Sequence, residues 1–438
     1  MSDITVVSLI FAAIFAGIIS EKLDKTILVL IGASIIVGCG YLHFEEAMHS
    51  IDFDTVILLL GMMLLVDSLR DLQIFDWVAL KLGIMSRGNP VLIFLMFSIA
   101  TATLSAFLDN VTTVLIIAPL IIQLTRGIGL PVKPFLFSVI FLSNIGGAAT
   151  LIGDPPNILI GSQVKSLTFA SFLQYLSFPV IVSAIAVLVM IKRAKRDVIK
   201  PRNSNFDWLF MSSLMLEQMK RELDELHIPK AVFVKSMAIF LLVIIGFFLH
   251  SVTHLPPAVV AISGATLMML VFHKELDPHH LIPKIEWPTL VFFSGLFVVV
   301  GAMEHVGVLD VIAHELVGVT DNFFIMLMII IWSSAILSAV VDNIPFVAVM
   351  IPILKDLINS PQFADNPKTG LVWWALALGA CFGGNGSMIG ASANVVSCAI
   401  AKSKGIDIGF KEFIKEALPI TLASIIISSL YIAVLYYY

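Results

Sequence analysis

Apolar runs of roughly 17 to 25 residues recur along the whole chain, and no other feature limits its fold so strongly. Each run is long enough to cross the hydrocarbon core of a bilayer, which is about 30 Å thick. Hydrophobic residues make up 59% of the 438 residues and charged residues only 13%, so a soluble domain is excluded. Because lipid offers the backbone no hydrogen-bonding partner, we predict an all-α polytopic membrane protein embedded in a lipid bilayer.

The runs predict about ten full crossings, divided equally between the two halves of the chain. The predicted crossings are 4–20, 26–42, 55–69, 134–164 and 172–191, and then 231–249, 256–272, 288–303, 370–400 and 417–437. Between the third and fourth crossing of each half lies an apolar stretch that Asp-Asn interrupts, at 91–125 and at 323–359. We interpret both stretches as re-entrant hairpins that return to their own side of the membrane.

Positive charge gives the orientation of this topology. With the loop at 20–25 in the cytoplasm, all of the 26 Lys and Arg residues except Lys165, Lys355 and Lys368 fall on the cytoplasmic side. The positive-inside rule expects such a bias in the inner (plasma) membrane. We therefore predict a multi-pass protein whose termini are both external and whose central linker, 192–230, is cytoplasmic.

The linker contains a helical pattern at 208–226. We interpret this helix as a connector that lies on the membrane surface. A regulatory or lipid-binding amphipathic helix is the alternative.

The two halves of the chain repeat one another in sequence. Residues 51–79 reappear as 285–313, LSAFLDN (104–110) as LSAVVDN (337–343), and GGAATLIGDPPN (146–157) as GGNGSMIGASAN (383–394). Because each half has an odd number of crossings, the second copy must insert upside down relative to the first. The chain is thus predicted to form two inverted-topology repeats, 1–191 and 231–438, an architecture typical of alternating-access transporters.

Helix-breaking residues interrupt four of the apolar segments. The Asp-Asn pairs at 109–110 and 342–343 favour turns, and each glycine-rich copy, 146–157 and 383–394, predicts a broken helix. The glycines expected to open the backbone at these breaks are Gly146, Gly147, Gly153, Gly383, Gly384 and Gly390. A broken crossing offers helix N-termini that favour anions and free carbonyl groups that favour cations.

Polar side chains beside these breaks are the candidate ligands. The candidate substrate-binding residues are Asn110, Thr150, Asn157, Asn343, Asn385, Ser387 and Asn394. Asp109, Asp342 and Asp154 are the candidate ion-coupling residues, because a carboxylate at membrane depth must be paired, hydrated or protonated. The alternative is that these side chains only cap the broken helix ends.

Other functional classes find little support in the sequence. A net charge of -5 without a basic patch excludes a nucleic-acid partner. The three cysteines lack metal-ligand spacing, so no metal site is predicted, and packing is the expected role of Cys381. Neither H-E-x-x-H nor G-x-S-x-G occurs, so we expect a protein that is not an enzyme and needs no cofactor beyond a proton or sodium gradient.

At these motifs the chain resembles the ion transporter superfamily, within it the group that joins arsenite permeases, NhaD-type sodium/proton antiporters and the melanosomal P protein. The most specific part is LSAFLDNVTTVLIIAPL (104–120) with NIGGAATLIGDPPNILIG (144–161), echoed by LSAVVDNIPFVAVMIPIL and GGNGSMIGASANVV. The resemblance implies a scaffold part, which supports a homodimer in many members, and a transport part that holds both hairpins and both broken helices. It also implies that Asn110 and Asn343 lie at the hairpin tips.

Related dicarboxylate transporters carry Ser-Asn-Thr at the hairpin tips. This chain has Asp109-Asn110-Val111 and Asp342-Asn343-Ile344 instead, which weakens the interpretation as a carboxylate transporter. We therefore expect a secondary active transporter that exports arsenite, antimonite or a similar small inorganic solute, driven by proton entry. Sodium/proton exchange and sodium-coupled symport of an anion or dicarboxylate remain the alternatives.

Overall fold

The computed structural model describes residues 2–20, 23–200 and 206–438, and within these ranges the chain is helical without β-strands. Lys22 of the predicted cytoplasmic loop and 201–205 of the predicted linker lie outside the described residues. The first half contains α1 Asp3–Ser20, α2 Lys25–Gly38, α3 Phe44–Ser50, α4 Phe53–Asp71, α5 Ile74–Met85, α6 Pro90–Ser105, α7 Asn110–Gly127, α8 Lys133–Gly147, α9 Pro155–Gln163 and α10 Phe169–Ala194.

The linker helix α11 spans Phe206–Glu225. The second half contains α12 Lys230–Thr253, α13 Pro257–Val271, α14 Pro278–Leu281, α15 Trp287–His305, α16 Val308–Val317, α17 Phe323–Val340, α18 Asn343–Asn359, α19 Leu371–Gly383, α20 Ser392–Ser403 and α21 Phe410–Tyr437. Short 3-10 turns at Ile282–Lys284 and Gly384–Gly386 complete the described secondary structure.

Seven of the described helices are long and apolar enough to cross a membrane, namely α1, α7, α10, α12, α15, α17 and α21. The pair α3–α4, bent by 52°, would make an eighth crossing. The predicted crossings at 26–42 and 256–272 are the shorter apolar helices α2 and α13. The all-α polytopic class is confirmed, whereas the exact number of crossings stays a prediction because α7 and α17 are also arms of the predicted hairpins.

Both Asp-Asn sites separate two helices. Helix α6 ends at Ser105 before α7 begins at Asn110, and α17 ends at Val340 before α18 begins at Asn343. Within each pair the two helices contact each other, which supports the predicted hairpins. The two glycine-rich segments likewise separate α8 from α9 and α19 from α20, as expected for broken helices.

Contacts between the two halves are reciprocal. The sequence repeat matches α2 with α13, α4 with α15, α7 with α18 and α9 with α20. Helix α4 contacts α13 while α2 contacts α15, and α7 contacts α20 while α9 contacts α18. Such exchange of partners is characteristic of a twofold relation. It supports the predicted repeat, although the inverted orientation of the second copy stays a prediction.

The linker helix α11 packs on the protein as well as connecting its halves. It contacts α5 and α7, the second arm of the first hairpin. Met215 lies over Gly127, and Met219 lies over Gly83, at distances that leave no room for a side chain at either glycine. Gln123 of α7 donates to Glu222 of α11 across 3.3 Å. The linker helix therefore packs against the C-terminal end of α7, the end remote from the hairpin tip.

Close packing at two equivalent glycines gives a test of the fold. A methyl group on Gly146 would collide with the carbonyl oxygen of Ala102 on α6, and one on Gly383 with that of Ala335 on α17. We expect Gly146→Ala and Gly383→Ala each to destabilise the protein by about 1–3 kcal/mol, since overpacking forces the backbones apart. Gly38→Ala is the control, because a methyl group added to this α2 glycine would meet no atom within 4 Å. Melting temperatures of the purified proteins in detergent measure the effect, and equal values for all three variants would contradict it.

Candidate functional site

The first helix break is held by the side chain of Asn157. Its Nδ2 donates to the carbonyl oxygens of Ala148, at 3.1 Å, and Thr150, at 2.8 Å, both in the segment that joins α8 to α9. The Thr150 hydroxyl donates in turn to the carbonyl of Ala106 in the first hairpin. These bonds satisfy backbone groups that would otherwise be unpaired at membrane depth.

The second break repeats the arrangement. Asn394 Nδ2 donates to the carbonyl oxygens of Gly384 and Ser387, each at 2.8 Å. The Ser387 hydroxyl donates to the carbonyl of Ala339 in the second hairpin at 2.5 Å. Four predicted ligands therefore use their donors to hold the breaks, while the two asparagine Oδ1 atoms face other side chains.

The predicted glycines act by their small size. None of the six has a positive φ. A methyl group on Gly153 would lie 2.5 Å from the Gly147 oxygen and 2.6 Å from that of Ser105, and Gly390 is confined in the same way by Gly384 and Ser338. Each hairpin can therefore lie in direct contact with a break. Beside the first break, the Ser105 hydroxyl of the first hairpin donates to the Ser143 carbonyl of α8 at 2.6 Å.

Asn144 lies at the centre of the site although it is absent from the predicted set. This α8 residue is 1% exposed, and its Nδ2 lies 2.8 Å from both Asn385 Oδ1 and Asn394 Oδ1. Its Oδ1 accepts from Asn110 Nδ2 at 3.1 Å. One amide thus joins the first hairpin tip, the first broken helix and the second break. The available signal was a polar residue in an apolar run, directly before the Ile-Gly-Gly of the first break.

Cys381 occupies the position in the second copy that Asn144 occupies in the first, because 144–157 aligns with 381–394. Its Sγ lies 3.6 Å from Asn157 Oδ1. Asn144 therefore contacts the asparagine of the second break, and Cys381 contacts the asparagine of the first. This reciprocal pair supports a twofold relation at the centre of the site.

Asp154 connects the two hairpin tips. Its Oδ1 accepts from Asn110 Nδ2 at 3.3 Å and from Asn343 Nδ2 at 3.4 Å. The residue is 1% exposed, and its carboxylate also faces the Cys381 thiol. Ala391 stands at the equivalent position of the second copy, so the centre contains one carboxylate rather than two.

The other two predicted acids lie at helix starts, each with different partners. Asp109 caps α7, accepting from the Thr112 backbone N–H at 2.8 Å and from the Thr112 hydroxyl at 2.5 Å. Asp342 caps α18, its Oδ1 accepting from the Ile344 backbone N–H at 3.4 Å, while its Oδ2 accepts from Lys25 Nζ, on α2, at 2.5 Å. The capping alternative thus accounts for both oxygens of Asp109 and for Oδ1 of Asp342, whereas Oδ2 of Asp342 forms an ion pair. Among the described residues, no three His, Cys, Asp or Glu side chains are grouped closely enough to hold a metal ion.

This arrangement defines a class of protein. Apolar helices surround a buried polar centre to which both halves contribute a hairpin tip and a broken helix, and such a protein is a membrane transporter. The sequence matches the family described as "Citrate transporter" over residues 15–379, and the chain belongs to that family.

Relatives agree with this class. A 46 kDa membrane protein of Mycobacterium leprae is 35% identical over 97% of this chain and 96% of that protein. An uncharacterised transporter of Synechocystis sp. is 29% identical over 97% of this chain and 96% of its own length. The P protein of Sus scrofa is 30% identical over 99% of this chain, which spans 59% of that longer protein. The resemblance to the group that contains the P protein is confirmed, as is the expectation that the chain is not an enzyme.

A solved structure shares the fold. The YdaH transporter of Alcanivorax borkumensis superposes with a TM-score of 0.57, covering 92% of this chain and 87% of that chain. The sequence identity is 15%, so this likeness concerns the fold alone.

The central amide gives the test of the site. Asn144→Ala removes three hydrogen bonds and leaves Asn110, Asn385 and Asn394 without a shared partner. We expect a loss of about 1–3 kcal/mol in stability, the usual cost of unpaired buried polar groups, together with a loss of transport. Ser334→Ala is the matched control, because the buried Ser334 hydroxyl has no hydrogen-bonding partner among the described residues. Thermal unfolding in detergent and uptake in proteoliposomes measure both effects, and two indistinguishable variants would remove Asn144 from the centre.

Proposed function

We propose that this transporter is a secondary active exporter of arsenite, antimonite or a similar small hydroxylated inorganic solute, driven by proton entry through alternating access. One observation carries the proposal. The amides of both hairpin tips converge on a single buried carboxylate, Asp154, which also faces the Cys381 thiol.

The electrostatics of the centre favour an uncharged solute over a free anion. The buried amides of Asn110, Asn144 and Asn343 provide both donors and acceptors, which suits a neutral trihydroxide. Of the Lys and Arg residues in the described chain, Lys25 reaches a hairpin tip, and its ammonium group is paired with Asp342. A free carboxylate substrate would therefore meet Asp154 without an unpaired cation nearby, at a high desolvation cost.

The cost of a buried charge can couple proton entry to export of the solute. A proton on Asp154 would neutralise its carboxylate, so the protonated and unprotonated forms of the site differ in charge. If the site opens alternately to each side, protonation from outside and release inside would supply the energy for export. Asp342 remains a second candidate coupling group because of its ion pair, whereas both oxygens of Asp109, the third predicted candidate, are used in the cap of α7.

Two alternatives have observations of their own. Sodium/proton exchange would use the Asp154 carboxylate together with amide oxygens, which are ligands that alkali cations accept. Sodium-coupled symport of a carboxylate is supported by the description of the family as citrate transporters.

The remaining topology is part of the same proposal. We infer a plasma-membrane protein with external termini, a cytoplasmic linker at 192–230, inverted repeats at 1–191 and 231–438, and a scaffold that forms a homodimer. Reactivity of cysteines introduced at the termini towards an impermeant thiol reagent in intact cells would test the orientation.

A transport panel separates the three functions. Purified protein in proteoliposomes is offered arsenite, antimonite, sodium, citrate and a dicarboxylate, each with and without a pH gradient. We expect arsenite or antimonite to accumulate only when the gradient is present. Accumulation of sodium alone would establish exchange, and sodium-dependent accumulation of citrate would establish symport; either result would overturn the proposed solute.

Two matched substitutions test the coupling group in the same vesicles. Asp154→Asn removes the charge at the centre while keeping a similar volume, so we expect uptake to continue without a response to the pH gradient. Asp109→Asn removes the same charge but preserves the helix cap, and we expect wild-type coupling. The reverse pattern, with Asp109→Asn uncoupled and Asp154→Asn unaffected, would assign the proton carrier to Asp109.

A further inference from the structure

An ion pair links the first half of the chain to the tip of the second hairpin. Lys25 Nζ lies 2.5 Å from Asp342 Oδ2, and the Ser392 hydroxyl of α20 lies 3.3 Å from both atoms. The side chains of Lys25 and Asp342 are 29% and 10% exposed. Among the described ion pairs, this one alone involves a hairpin tip.

The pair borders a cavity of about 320 Å³. Its walls include Asp24, Lys25, Asp342 and Ser392 together with apolar side chains of α1 and α20. Water and small cations can therefore approach the carboxylate of Asp342 from the side that Lys25 occupies.

The two partners lie on different helices, in different halves of the chain. Helix α2, which Lys25 begins, packs against α1 and α15, and the Lys25 ammonium lies 5.1 Å from the ring centroid of Phe292 on α15. Asp342 joins α17 to α18; both helices pack against α19, and α18 also packs against α9, α15 and α16. If the second hairpin tip moves relative to α2 during alternating access, the ion pair must break in the opposite state.

Breaking the pair leaves Asp342 in need of another positive charge. Removal of one partner from a buried ion pair is costly, because the remaining charge has lost both water and its counterion. A proton or alkali cation on Asp342 would remove that cost. Among the described residues, Asp24 and Asp154 also face Asp342, and Glu286 faces Lys25. All three are acidic, so none of them can replace Lys25 as the positive partner of Asp342.

We propose that Lys25 is an internal competitor for the coupling cation, occupying Asp342 in the present conformation and yielding it to a proton or alkali cation in the other. The inference rests on the proposed function, since it requires two conformations of a transport cycle. Lys25 is thus a positioning residue that decides when the Asp342 carboxylate is free to bind the driving ion.

Cation binding to the purified protein tests this competition without any transported solute. Melting temperature is recorded in detergent against NaCl concentration and, separately, against pH. We expect Lys25→Gln to lower the NaCl or proton concentration that gives half of the stabilisation by about tenfold or more, because an opposing charge has been removed from the carboxylate. Lys25→Arg, which keeps the charge, is expected to retain the wild-type dependence.

Two further variants separate competition from simple anchoring. In an Asp342→Asn background, Lys25→Gln should cause no shift, since the carboxylate for which it competes is absent. Lys284→Gln is the matched control, because Lys284 pairs with Asp71 at the end of α4 and touches neither hairpin. It should leave the cation dependence unchanged.

Several results would overturn the inference. Lys25→Gln could leave the cation dependence of the melting temperature unchanged, or shift it equally with and without the Asp342 carboxylate. Either result would show that Lys25 only holds the hairpin tip in place. A Lys25→Gln protein that folds at no NaCl concentration or pH, while the double variant folds, would show that a cation cannot replace the lysine. These outcomes are independent of the solute panel, so a wrong solute assignment would leave the cation measurement interpretable.

Discussion

Unwound backbone within an apolar helical protein is possible only where other groups satisfy its carbonyl oxygens and N–H groups. In this transporter two side-chain amides meet that requirement. Asn157 donates to two carbonyls of the first break, and Asn394 donates to two carbonyls of the second. The half-helices, the approach of the hairpins and the position of the polar centre all depend on these four hydrogen bonds.

The frame around the centre is nearly symmetric, whereas its chemistry is not. Thr150 and Ser387 tie the breaks to the hairpins in equivalent ways. The first copy then provides Asn144 and Asp154, where the second has Cys381 and Ala391. A twofold frame can present the same cavity to both sides of a membrane in turn, and the proposed proton carrier, Asp154, is a carboxylate that only the first copy contributes at this position.

The sequence predicted those features of the site that depend on residues close together in the chain. Helix breakers predicted both broken helices, and the repeated asparagines pointed to Asn110, Asn157, Asn343 and Asn394, which the structure places around one polar centre. Asn144 and Lys25 were missed in their roles because their partners are remote: Asn394 lies 250 residues from Asn144, and Asp342 lies 317 residues from Lys25. From the sequence alone, Lys25 was predicted to be one of the positive charges of a cytoplasmic loop. No residue near it in sequence indicates that it contacts a hairpin tip.

Access to the polar centre from both sides of the membrane is the central claim, and thiol labelling measures it most directly. The three native cysteines are replaced by serine, and Val111, beside Asn110 on the half-buried face of the first hairpin tip, is changed to cysteine. An impermeant methanethiosulfonate reagent is then applied to right-side-out and to inverted vesicles, with and without the transported solute. Alternating access predicts labelling from both sides, slowed in each case by the solute. Labelling from one side only, or at rates that the solute does not alter, would contradict it.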